Sequence, residues 1–207
     1  MFSILALALL PTAASFGLSP ATFGVRAPTT ALSAKVGLFY STTTGNTETC
    51  GNHIAEAISG AGLSADELTD IADGDDFGSY DSIIAGAPTW HTGADSERSG
   101  TSWDSWLYDE LPNLDLKGKK VAIFGCGDQQ GYGDNYCDAA GELYDQFKAA
   151  GCEIVGMTST EGYLHADSKA EVGGKFVGMM FDEDNQDDMS EERAKTWVAQ
   201  LKGEGIF

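Results

Sequence analysis

Val36-Gly-Leu-Phe-Tyr-Ser-Thr-Thr-Thr-Gly-Asn-Thr47 is a short apolar run that gives way to hydroxyl-bearing residues and a glycine. Directly after it, Cys50, Ile54, Ala57, Ile58 and Ala61 recur at the spacing of one helix face. The reading is a buried strand, a tight loop, and a helix that the loop opens. In that arrangement the first backbone N–H groups of the helix lack partners within it and point past the end of the strand. Ser41, Thr42, Thr43, Thr44, Gly45, Asn46 and Thr47 then form a phosphate seat. The hydroxyls of Thr42, Thr44 and Thr47 can donate to phosphate oxygens, Gly45 allows close backbone approach, and the helix dipole adds about 0.3 to 2 kcal/mol. The spacing G-x-x-x-x-G-K-[ST] is missing, as is G-x-G-x-x-G, which disfavours a nucleoside-triphosphate loop and a dinucleotide site. Taken by itself, the segment can also be read as a Ser/Thr-rich helix cap.

Outward from this segment, short apolar runs alternate with amphipathic stretches, which predicts an α/β protein with a parallel sheet and helices on both faces. Five strands are expected, at residues 36–40, 63–67, 82–87, 120–125 and 153–157. A second helical stripe runs through Tyr136, Ala140, Leu143, Phe147 and Ala150. The last helix is expected to start at Ser190 as its cap, with Glu191 and Glu192 at the positive end of its dipole. Its core face is Ala194, Trp197, Val198 and Leu201. The glycine-punctuated block 163–188 is too long for a plain connection, and residues 175–181 within it can complete the edge strand. The acidic run 182–188 reads as a solvated loop.

Ligands of an open parallel sheet collect where its strands end. The third strand ends in Ala87-Pro88-Thr89-Trp90-His91-Thr92-Gly93, and the fourth runs on through Cys126-Gly127-Asp128 to Tyr132 and Asn135. Both loops share the carboxyl edge with the phosphate seat. Trp90 and Tyr132 sit on separate glycine-bearing loops, so each can lie flat against a planar heterocycle whose edge meets backbone amides. That geometry suits a flavin ring. The binding residues expected here are Pro88, Thr89, Trp90, His91, Thr92 and Gly93 from one loop, with Cys126, Gly127, Asp128, Tyr132 and Asn135 from the other.

The 207 residues suit one folded core, and the formal charge is -20. Residues 1–34 hold Arg26 and no Asp or Glu, so the remainder carries -21. Such a surface repels nucleic acid and anionic membrane and attracts basic protein surfaces. The four cysteines show no C-x-x-C spacing and the three histidines are scattered, so free thiols and no metal site are expected. Residues 1–34 read as an address. The apolar stretch 4–10 is too short to cross a bilayer, and Ala13-Ala14-Ser15, Phe16 and a hydroxyl-rich, acid-free tail follow it. That order resembles the signal-plus-transit presequences of algae with complex plastids and predicts the chloroplast stroma; plain secretion is the competing reading.

Together these motifs, with Gly174-Lys-Phe-Val-Gly178 and Asp182-Glu-Asp-Asn-Gln186, resemble the flavodoxin family from about Lys35 onward, in its long-chain form. The resemblance implies strand order 2-1-3-4-5 with an insertion in the last strand region, and FMN as cofactor. It implies that Thr42 to Thr47 hold the phosphate, Trp90 and Tyr132 sandwich the ring, and Asp128 with nearby backbone bonds the pyrimidine edge. The function implied is a monomeric, low-potential one-electron carrier, not an enzyme, working between photosystem I and ferredoxin-NADP reductase in place of ferredoxin. Two departures stand out. His91 follows the tryptophan where some members have glycine, and the loop from Trp90 to Trp103 is longer than in many relatives. The peptide after Trp90 reorients in family members on reduction, a turn that a non-glycine residue makes costlier. The rival is an FMN-dependent NAD(P)H quinone reductase, which needs a nicotinamide pocket for which no dedicated residues are evident. A receiver protein needs an acidic phosphoacceptor where Pro88-Thr89-Trp90 stand.

Overall fold

Strands β3 (Ser82–Pro88) and β4 (Lys120–Cys126) are buried along almost their whole length, as befits central strands of a parallel sheet covered on both faces. In the computed structural model, which describes residues 1–2, 34–73 and 76–207, they pair with each other from Ser82↔Lys120 to Pro88↔Cys126. Strands β1 (Val36–Tyr40) and β2 (Leu68–Asp70) extend the sheet on one side and β5 (Glu153–Val155) on the other, giving the order β2-β1-β3-β4-β5, all parallel. The expected fold class and strand order are what the structure has. The presequence expected at residues 1–34 lies almost wholly outside the described residues.

Alternation along the strands sorts side chains into two cores. Phe39, Ile83, Ala85 and Ile123 face α2 (Trp103–Asp109) and α3 (Asp138–Ala149), where Trp103, Leu143 and Phe147 are fully buried. Leu38, Ile84, Ala122 and Phe124 face α1 (Asn46–Gly60) and α4 (Ser190–Glu204), against Ile54, Ile58, Trp197 and Leu201. Ala61, expected on the α1 stripe, falls beyond the helix and is exposed, and Tyr136, though buried, precedes α3.

The second strand lies later than residues 63–67. Leu68 is the residue that pairs with Leu38 and packs beneath Gly51 of α1, while the earlier segment makes no ladder with β1 and bonds it through Asp66 N–H to Val36 O at 2.8 Å. The fifth strand stops at Val155 because Gly156 turns the chain at φ +80°, its N–H held by Glu204 Oε2 (2.6 Å) and its carbonyl by Trp197 Nε1 (2.8 Å). A small antiparallel sheet follows, with β8 (Lys175–Phe176) between β6 (Thr158–Ser159) and β7 (Glu171–Val172). Then β9 (Met179–Phe181) rejoins the main sheet and pairs with the upper half of β4, Phe124↔Met179 to Cys126↔Phe181. The edge strand is thus made in two pieces, β5 below and β9 above. Of the segment expected to complete it, only Met179–Phe181 does so; Lys175 and Phe176 belong to the insertion sheet.

Ser190 is the first helical residue of α4, not its cap, and its hydroxyl is bonded to Glu183. The junction between insertion and β9 is Gly178, where an added Cβ would lie 1.8 Å from the backbone oxygen of Ile123. The obstacle is backbone, so the strand itself would have to move. Gly178→Ala should therefore lower unfolding stability by about 1–3 kcal/mol, read by urea denaturation, and Gly203→Ala, inside α4 with nothing within 4 Å of the added Cβ, should not lower it.

Candidate cofactor site

The loop after β1 reaches α1 through Gly45 at φ +97°, and no side chain caps the helix. Thr42 turns its hydroxyl back to accept the Gly45 N–H at 2.9 Å, which shapes the turn and leaves the hydroxyl's own hydrogen for another acceptor. Ser41 is buried and donates to Asp70 Oδ1 at 3.0 Å, so it braces the loop from behind. Thr47 is fully buried, yet its Oγ1 has no partner among the described residues. An unpaired buried hydroxyl is costly unless something else completes it. Here it lies with Thr44 and Asn46 along the wall of a cleft of about 250 Å³.

The opposite walls come from the other two loops. Pro88, Thr89, Trp90 and Thr92 line the cleft after β3, and Cys126, Gly127, Asp128 and Tyr132 after β4. Trp90 is 49% exposed and Tyr132 57%, large aromatic surfaces that the protein leaves uncovered. The cleft thus brings a helix start with an orphan hydroxyl together with two uncovered rings. Its residues fit FMN: an anionic tail suits the α1 end and a planar ring the aromatic end. Ser41, Thr42, Thr43, Gly45, His91, Gly93 and Asn135 stand off the wall. His91 donates its Nδ1–H to Glu97 O at 2.6 Å, which fixes its tautomer, and Asn135 bonds Asp138 Oδ2 at 3.3 Å.

Asp128, expected to bond the ring edge, also organises its own loop. Its Oδ1 accepts the N–H groups of Gln130 (2.9 Å) and Gly131 (2.7 Å) and the Asn185 amide (2.8 Å). Asn185 in turn bonds Asp182, which is fully buried and also accepts Gln129 N–H (3.1 Å) and Nε2 (2.8 Å). The acidic run is therefore not simply a solvated loop: its first residue is a buried brace between β9 and the Tyr132 loop, and Asp184 lines the cleft. The sequence signal for this was its position, since Asp182 directly follows the buried strand Met179–Phe181.

The Gly131 N–H holds the Asp128 carboxyl below the usual carboxylate range, against burial, with the Asn185 amide and Gln130 N–H helping. Asp184 is shifted the other way, by burial and then by the charges of Asp128 and Asp182. A depressed native value means stability that is present above the unfolded carboxyl's value near pH 3.9 and is lost as pH falls through the native one. Urea titrations at several pH values should show wild type more stable than Asp128→Asn near neutrality, with the gap closing below about pH 4; a gap that widens on acidification would contradict the assignment.

Fold and cleft together define an α/β protein whose carboxyl-edge loops frame a cleft suited to a planar ligand with an anionic tail. The flavodoxin family pattern matches residues 38–197. The chain is 46% identical over 170 residues to a flavodoxin of Synechocystis sp., covering 81% of this chain and 96% of that one. It is 44% identical over 171 residues to a flavodoxin of Trichodesmium erythraeum, covering 83% and 98%. The crystal structure of Fusobacterium nucleatum flavodoxin bound to flavin mononucleotide superposes with a TM-score of 0.72 at 27% identity, over 83% of this chain and 99% of that one. The chain belongs to the flavodoxin family.

Proposed function

We propose that this cleft binds FMN and that the chain carries electrons between other redox proteins as a flavodoxin, not as an enzyme. The observation that carries the reading is the orphan hydroxyl of Thr47 at an uncapped helix start, in the same cleft as the uncovered rings of Trp90 and Tyr132. FMN, when bound, supplies the electron-accepting chemistry. Thr44, Thr47 and the first turn of α1 hold its phosphate, and Trp90 and Tyr132 exclude water from the faces of its ring. Asp128 and Asp184 place negative charge beside the ring. One uncompensated charge about 10 Å away at an effective dielectric of about 20 opposes an added electron by roughly 1.7 kcal/mol, or about 70 mV. Charge placed there lowers the potential of the bound flavin.

Thr47→Val keeps the shape and removes the orphan. FMN affinity should fall about 10- to 100-fold, the worth of one bond to a charged group, while riboflavin, which lacks the phosphate, should bind as to wild type. The FMN-free variant should be no less stable than wild type, because a buried unpaired hydroxyl has been replaced by a methyl. Flavin fluorescence quenching reads the affinities; equal loss for both ligands would place the phosphate elsewhere.

The donor and acceptor we propose are photosystem I and ferredoxin-NADP reductase, in the chloroplast stroma. The support is the presequence pattern of residues 1–34 and the charge of -21 on the rest. Attraction between unlike surfaces weakens with salt. Electron transfer from illuminated photosystem I to the FMN-loaded protein should therefore slow several-fold as ionic strength rises from about 0.01 to 0.3 M, and a salt-independent rate would exclude docking through the acidic surface.

A further inference from the structure

We infer that Glu142, one turn into α3 from Ala139, is a positioning residue for the stacking tryptophan: it clamps the loop after β3 so that Trp90 keeps its place. The inference rests on the flavodoxin reading above and adds a residue to it. Glu142 is only 3% exposed, and a buried carboxylate is tolerated when donors replace its lost water. It has three. Oε1 accepts the Glu97 N–H at 2.7 Å and the Tyr108 hydroxyl at 2.5 Å, and Oε2 accepts the Arg98 N–H at 2.8 Å. Two of these donors are consecutive backbone amides of the loop, and Glu97 is held at φ +56°, a left-handed conformation rare for a residue with a side chain.

What the clamp fixes is the carbonyl of Arg98. That oxygen accepts the N–H of Trp90 and the N–H of His91, each at 3.1 Å. The preceding residue, Thr89, accepts the Ala139 N–H of α3 on its hydroxyl at 2.9 Å. Both flanks of Trp90 are therefore referenced to one helix, directly through Thr89 and through the Glu142 to Arg98 relay. Asp104 completes the platform by accepting the N–H groups of Ser99 (3.0 Å) and Gly100 (2.8 Å). Gly100 lies under the tryptophan, where a Cβ would come within 2.8 Å of Trp90 Cβ. Lys169 Nζ reaches the loop only at Ala94 O (2.9 Å), away from the segment that holds Trp90.

The test compares wild type with Glu142→Gln, Tyr108→Phe and Glu204→Gln. Glu204 is a control: it too accepts a backbone N–H, that of Gly156, but at the far edge of the sheet. FMN dissociation constants, the visible spectrum of the bound flavin and its one-electron midpoint potentials are read for each. Glu142→Gln should bind FMN at least tenfold more weakly, with an altered flavin band shape and a shifted first potential. Tyr108→Phe, which removes a single bond of the clamp, should show the same changes at two- to fivefold, and it decides the matter if Glu142→Gln does not fold. Glu204→Gln should lower the unfolding temperature and leave affinity, spectrum and potentials as in wild type. Wild-type values in Glu142→Gln or, where that variant does not fold, in Tyr108→Phe would overturn the inference, as would a Glu204→Gln that loses FMN equally. If wild type itself takes up no FMN, the cofactor assignment falls, and the inference with it.

Discussion

A carboxylate turned inward onto backbone N–H groups is the interaction on which the cofactor end of this molecule depends. Loops at the end of a sheet have amides with no strand to pair with, and each must find an acceptor or water. Asp182, Asp128, Glu142 and Asp104 supply those acceptors for the loops that carry Tyr132 and Trp90. A carboxylate can take several donors at once, and bonds to it are about twice as strong as neutral ones. A buried charge left partly unpaired would work against the fold, so such loops are held in one arrangement or not at all. Part of the acidity that the composition displays is therefore internal scaffolding, distinct from the surface charge that governs encounters.

The fold was legible in the sequence wherever a pattern is local. Apolar runs at 82–87 and 120–125 became β3 and β4 with little change, and the helix stripe from Cys50 to Ile58 became the buried face of α1. The three loops that line the cleft were legible as well, because a strand end followed by a glycine with hydroxyl-bearing or aromatic residues is itself a local signal. What stayed hidden was whatever depends on distant partners. Nothing in residues 63–70 marks Leu68 over Leu63 as the strand anchor; its contact with Gly51 decides it. Asp182 looked like one more member of a charge run because the donors that tie it to the Tyr132 loop lie at Gln129, far off in the chain. Glu142 sat unremarked beside a helical stripe, since its meaning comes from a loop on another element.

His91 shows the same division. Its identity after Trp90 was visible and its effect was not, because that effect depends on where the ring goes. The ring turns to the loop's own carbonyl at Glu97 and not to the cleft wall, so its first consequence is to tie down the loop after β3.

The two-piece edge strand bears on the order in which the chain can assemble. β5 follows α3 directly and can zip onto β4 as a local event, whereas β9 arrives only after the whole insertion has been made and folded back. Until then the stretch Phe124–Cys126 has one bare flank, and a bare apolar flank is a template for another molecule's strand. Long-range closure is slow relative to local pairing. The hazard for a newly made chain is thus greatest in the interval before the insertion docks, when self-association competes with completion of the sheet.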